Sequence, residues 1–219
     1  MRTTVAILSK NGESALPSVI EVLKSGWVEQ PLNFTVASPQ KAASHKSPNV
    51  LCKQGLDSAT VFGCAYTKDA RKNYDFLTLE DSTLVFEGKI YTPVTKEAIA
   101  QQAAKNRVHC EAQLQTLIDK AEGDYSLFML KEDWIAAARD PIGVQPLYYG
   151  ENRDFAALAS NRKALWQLGI EKPASFPPGN LAFANKEGFK FKPVKTVTYA
   201  EPKTISMDEA ASSVQKLLE

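Results

Sequence analysis

Apolar and polar positions alternate in short bursts along most of this chain. "TTVAILS" (Thr3 to Ser9) is β-branched and apolar, and Asn11-Gly12 then supplies a turn signal. In "SALPSVIEVLKSG", Val19, Ile20, Val22 and Leu23 recur on a helical period, with Gly26 as the expected stop. "LNFTVAS" (Leu32 to Ser38), "ATVFGCAY" (Ala59 to Tyr66) and "STLVFEGKIY" (Ser82 to Tyr91) have the period and composition of strands. Between the first two of these, "PQKAASHKSPN" (Pro39 to Asn49) is polar, punctuated by Pro39 and Pro48, and predicts a loop.

The middle of the chain predicts helices at "TKEAIAQQAAKN" and "CEAQLQTLIDKAEG". The second places Leu114, Leu117, Ile118 and Ala121 on one face, with Gly123 as the expected cap. The period then drops to two. "DYSLFML" and "DWIAAAR" flank a polar turn at Lys131 to Asp133, a predicted hairpin. "QPLYYG", "DFAALAS", "GNLAFAN" and "FKFKPV" predict four more strands, and "RKALWQLG" (Arg162 to Gly169) a short helix. Strands in two sets with helices grouped between them predict an α+β domain of stacked antiparallel sheets. Near the end, Ser206 and Glu209 have capping-box spacing, and Ala210, Val214, Leu217 and Leu218 share one face of the helix that follows. That stripe runs to Glu219 without a stop signal. It is expected to open a further domain, the alternative being a natural C-terminal helix.

Composition narrows the function classes. The 219 residues are 44% hydrophobic and 23% charged with a net charge of +1, so neither nucleic acid nor an anionic membrane is an expected partner. The basic stretch "KDARK" (Lys68 to Lys72) reads as a solvated loop. No apolar run approaches the roughly 18 residues of a membrane span, and the apolar stretch at the N-terminus is too short for a signal peptide. Cys52, Cys64 and Cys110 are far apart, and His45 and His109 complete no ligand set, so free thiols, a cytoplasmic location and no metal are expected. No Gly-rich nucleotide-binding motif occurs.

The segment "GDYSLFMLKEDWIAAARDPIGVQPLYYG" (Gly123 to Gly150) changes the question from fold to chemistry. Together with "VFEGKIYTP" (Val85 to Pro93), "ALASNRKALWQLG", "PPGN" (Pro177 to Asn180) and "VAIL" (Val5 to Leu8), it resembles the class II, N-terminal-nucleophile glutamine amidotransferase domain of the asparagine synthetase family. The resemblance covers roughly residues 1–200. It implies an Ntn-hydrolase-like four-layer αββα sandwich of two antiparallel sheets, with residues 201–219 as a linker and the first helix of a synthetase-like domain. It further implies a mature N-terminal cysteine, whose thiol attacks the glutamine amide while its α-amine handles the proton.

Several site positions depart from that pattern. Arg2 stands where the cysteine is expected. Thr3 or Thr4 would replace it only after unusual cleavage. Glu87 stands at an oxyanion donor position, where loss of a donor typically costs about 10²–10³ in rate. The neighbouring Gly88 is kept, and its N–H is available as a donor. Apart from any catalytic role, Glu87 is expected to be an exposed strand-end carboxylate paired with Lys89 or another base. Tyr66 falls where an arginine would grip the substrate carboxylate, and His109 near the aspartate that would bind its ammonium group. The "RGPD" loop has no counterpart in "KSGWVEQPL" (Lys24 to Leu32). Cys64 and Cys110 read as small core residues rather than substitute thiols. Arg139 and Asp140 are expected to build the scaffold, with contact to a partner domain as the alternative.

The expectation is therefore a domain without glutaminase activity, in the service of an ATP-dependent, amide-forming synthetase domain of the same chain. ATP and Mg²⁺ belong to that synthetase domain, and no cofactor is expected in these residues. A homodimer is a further candidate assembly. Two alternatives remain: a module binding a small amine or amino acid in the altered pocket of Tyr66, Glu87, Gly88 and His109, and a glutaminase with a non-cysteine nucleophile.

Overall fold

The alternating segments pair into two antiparallel sheets. The structure is a computed structural model, and it describes residues 2–25, 33–67, 74–92, 110–199, 201–202 and 204–218. One sheet has seven strands in the order β11-β9-β10-β1-β4-β2-β3. Its central strands are β1 (Arg2–Ser9), β4 (Thr60–Tyr66) and β10 (Phe155–Ala159), flanked by β2 (Asn33–Ser38), β3 (Lys41–His45), β9 (Tyr148–Glu151) and β11 (Ala174–Ser175). The other has six, β13-β12-β8-β7-β6-β5. These are β5 (Tyr74–Thr78), β6 (Thr83–Thr92), β7 (Glu122–Leu130), β8 (Ile135–Arg139), β12 (Asn180–Asn185) and β13 (Gly188–Pro193).

Because side chains alternate across a strand, each sheet buries two faces. Ala6, Leu8, Phe62, Val85, Phe128 and Ala137 fill the space between the sheets. The outer face of the seven-stranded sheet packs under α1 (Leu16–Lys24) and α4 (Arg162–Gln167) through Val5, Val19, Leu23, Ala157 and Leu165. The outer face of the six-stranded sheet packs under α3 (Cys110–Lys120) through Leu84, Phe86, Leu114, Ile118 and Leu127. The result is the expected αββα layering.

The periodicity located most elements to within a residue or two. The hairpin of β7 and β8 closes through the Lys131 N–H to the Trp134 carbonyl, at 3.0 Å. The capping box at α5 (Met207–Leu218) is formed in both directions: Ser206 N–H to Glu209 Oε2 at 3.0 Å, and Glu209 N–H to Ser206 Oγ at 3.3 Å. No residue of α5 is buried, and Val214, Leu217 and Leu218 face solvent.

Two expectations are corrected. The predicted loop at Pro39 to Asn49 contains the edge strand β3 and the short helix α2 (Pro48–Leu51). β3 is a partly exposed edge strand, held by backbone pairing to β2, with Ala42 and Ala43 packed against the buried layers. Gly123 does not cap α3. It lies within β7, where a Cβ would meet the Lys89 carbonyl oxygen at 2.1 Å, so close strand approach demands glycine. The strand β5 was not anticipated. Gly26, "KDARK", the helix at "TKEAIAQQAAKN" and His109 lie outside the described residues.

Candidate active site

Thr4, Glu87, Tyr66 and Tyr74 meet between the sheets, beside the first half of β1. Antiparallel pairing of β1 with β4 sets Arg2 opposite Tyr66 and Thr4 opposite Cys64. In the second sheet β6 sets Glu87 between Tyr74 of β5 and Ser126 of β7. The sheets then bring Thr4 against Glu87. Thr4 Oγ1 donates to Glu87 Oε2 at 3.0 Å and Tyr74 Oη donates to Oε1 at 3.3 Å, while the two hydroxyls lie 2.9 Å apart.

Glu87 is thus not the exposed strand-end group that the sequence suggested. It is 2% exposed, and Lys89, two residues further on, is the exposed one. The strand does not end near Glu87 but runs on to Thr92, and the register turns the carboxylate inward on the face shared with Val85. A buried carboxylate requires hydrogen-bond donors, and here two hydroxyls on different strands supply them.

Tyr66 is equally buried, and its ring packs on that of Tyr74 with centroids 5.6 Å apart. Its hydroxyl shares a hydrogen bond with Thr35 Oγ1 at 2.8 Å, and Thr35 with Ser44 Oγ at 2.7 Å. The phenol is therefore tied into the wall of the site and offers no charge. Gly88 is buried with φ +106°, a backbone conformation that side chains rarely adopt, and a Cβ there would lie 2.0 Å from the Asp124 carbonyl oxygen. The backbone alone accounts for that glycine. Cys64 is fully buried in the layer between the sheets, a small core residue as expected.

Thr4 brings a hydroxyl but no free α-amine. Its N–H is a peptide amide that donates to Ser160 Oγ at 2.9 Å, and its carbonyl accepts from the Ser160 N–H. Thr3 alternates to the opposite face of β1. His109 cannot be placed in the site, since it lies outside the described residues, as does the side chain of Cys110.

Sequence reasoning missed Tyr74, Ser126 and Ser160. Tyr74 had a weak signal, since "YDFLT" alternates, but no local pattern announces which strand it pairs with. Ser126 is fully buried, and its Oγ finds no hydrogen-bond partner among the described residues.

The "RDPIG" stretch does different work. Arg139 Nε donates to the Gln145 carbonyl at 2.6 Å, Nη1 to Phe176 O at 2.8 Å and Nη2 to Gly143 O at 2.7 Å. Asp140 Oδ1 accepts the N–H groups of Ile142, Gly143 and Val144, and Oδ2 that of Gln145, at 2.6–3.1 Å. Burial lowers the Arg139 pKa, with the Asp140 carboxylate opposing the shift. Burial also pushes the Tyr125 phenol well above its usual range, and the Asp140 charge adds to that. Asp140 is spent on its own loop, and Arg139 on that loop and on the Phe176 carbonyl.

The comparisons with known proteins agree with this fold. Residues 72–167 match the glutamine amidotransferase domain. Over 101 residues the chain is 31% identical to a Methanocaldococcus jannaschii protein named as a glutamine-hydrolysing asparagine synthetase, a match covering 42% of this chain and 19% of that protein. Over 152 residues it is 30% identical to a Dictyostelium discoideum protein named likewise, covering 63% of this chain and 26% of that one. The chain therefore spans only about a fifth to a quarter of the length of these relatives. In fold it is similar to glutamine phosphoribosylpyrophosphate amidotransferase from B. subtilis, with a TM-score of 0.65 at 18% identity over 89% of this chain and 50% of that one. Sequence and architecture converge: residues 72–167 match a glutamine amidotransferase domain, the fold is Ntn-hydrolase-like, and part of the chain is similar to asparagine synthetases.

Proposed function

We propose that this domain does not release ammonia from glutamine and instead serves a synthetase domain of the asparagine-synthetase type by structural support, assembly or regulation. The single observation that carries the reading is the Glu87 carboxylate, buried between the sheets and held by Thr4 and Tyr74. At a position where hydrolysis of an amide needs a donor for the developing oxyanion, a carboxylate contributes negative charge. Arg2, at the related place on β1, brings no thiol. Tyr66 brings no cation to a substrate carboxylate, and its hydroxyl is engaged with Thr35. On this reading ATP and Mg²⁺ act in the synthetase domain, and its nitrogen comes from free ammonia or an amine.

Exposure to an electrophilic glutamine analogue tests the reading. Intact-mass measurement is expected to show no adduct, with any surface labelling at Cys52 unaffected by excess glutamine. A stoichiometric adduct that glutamine protects against would overturn it.

A further inference from the structure

We propose that the Thr4–Tyr74–Glu87–Ser126 cluster is a carboxylate-binding site that the chain occupies in cis with its own Glu87 side chain. This deepens the reading above, since it states what fills the glutamine pocket and what class of ligand the surrounding groups select.

The donors surround the carboxylate from three strands. Thr4 of β1 addresses one oxygen and Tyr74 of β5 the other. Ser126 of β7 stands directly across from Glu87 in the register, and side chains so paired have Cβ atoms about 5 Å apart. Its hydroxyl is wholly buried and has no partner among the described residues, so it stands beside the carboxylate as an unused donor. Among the described residues these three hydroxyls face the carboxylate, the chemistry that receives an anion. Ser126 also lies opposite Arg139 on β8, and that guanidinium is committed to the carbonyls of Gly143, Gln145 and Phe176. Thr4, Tyr66, Tyr74, Glu87 and Ser126 are each at most 3% exposed, so the site is closed over its tethered ligand. The tether makes occupancy intramolecular, which a free ligand at ordinary concentrations does not match.

Glu87→Ala keeps the Cβ and deletes a CH₂–COO⁻ group, the shape of acetate. The melting temperature of E87A is expected to rise saturably with sodium acetate at constant ionic strength, by about 3 °C near ten times the dissociation constant. Propionate and chloride are expected to do less. Wild type and Glu87→Gln, whose pockets stay filled, should not respond, and Tyr74→Phe added to E87A should weaken the response. If E87A is unfolded in chloride, recovery of its circular dichroism in acetate reads the same outcome. No acetate effect, an equal effect of chloride, or an equal response of wild type would overturn the proposal. Because stability is read rather than glutaminase activity, this inference and the loss of glutaminase can fail separately.

Discussion

Two buried carboxyl groups among the described residues, Asp140 just past β8 and Glu87 within β6, are satisfied in opposite ways. Asp140 accepts four backbone N–H groups from the five residues that follow it, so one side chain folds one loop. Glu87 accepts side-chain hydroxyls from β1 and β5, which are 70 residues apart in sequence and belong to different sheets. The first arrangement belongs to a segment whose sequence resembles the amidotransferase family, and the second holds the carboxylate on which the proposed function rests. A local cage depends on a few consecutive residues, whereas a cluster of side chains from separate strands depends on register and on how the two sheets pack.

The comparison predicts a ranking of substitutions. Asp140→Ala removes the acceptor of four N–H groups and is expected to cost about 3–5 kcal/mol, read as a lower urea midpoint. Gly88→Ala meets both a positive φ and the Asp124 carbonyl, and should cost about 2–4 kcal/mol by the same measurement. Glu87→Gln keeps the shape and one acceptor oxygen and is expected to cost about 1 kcal/mol. Tyr66→Phe, which loses only the Thr35 bond, should cost about the same or less. A larger effect for Glu87→Gln than for Asp140→Ala would reverse the comparison and make Glu87 the structural group.

The smallest effect concerns the cap of α5. The Ser206 backbone N–H, and then its hydroxyl, hold the Glu209 pKa below its ordinary value. A depressed carboxylate pKa favours the capped state above the unfolded-state value, and that contribution is lost as pH falls through the folded-state value. Fraying of the first turn of α5 is therefore expected only on acidification below the usual carboxylate range, visible in the amide resonance of Ser206. Fraying that begins near neutrality would contradict it.

Much of this architecture was legible in the sequence because it is local. The period of two marked β1, β4, β6, β7 and β8, and the Ser206–Glu209 spacing marked the start of α5. β3 and β5 were not legible: one is a polar edge strand, the other a five-residue strand whose identity depends on pairing with β6. At the site, sequence reasoning singled out Glu87, Gly88 and Tyr66 but gave Glu87 the wrong environment. A carboxylate followed two residues later by a lysine looks like a solvent pair. Only the register that sets it between Tyr74 and Ser126 turns it inward.

The most direct test of the central claim is glutamate release from glutamine by the purified protein, followed to many equivalents per chain. No release above that of a heat-denatured control is the predicted result. Sustained turnover that copurifies with the protein and is altered by Glu87→Gln would contradict the account.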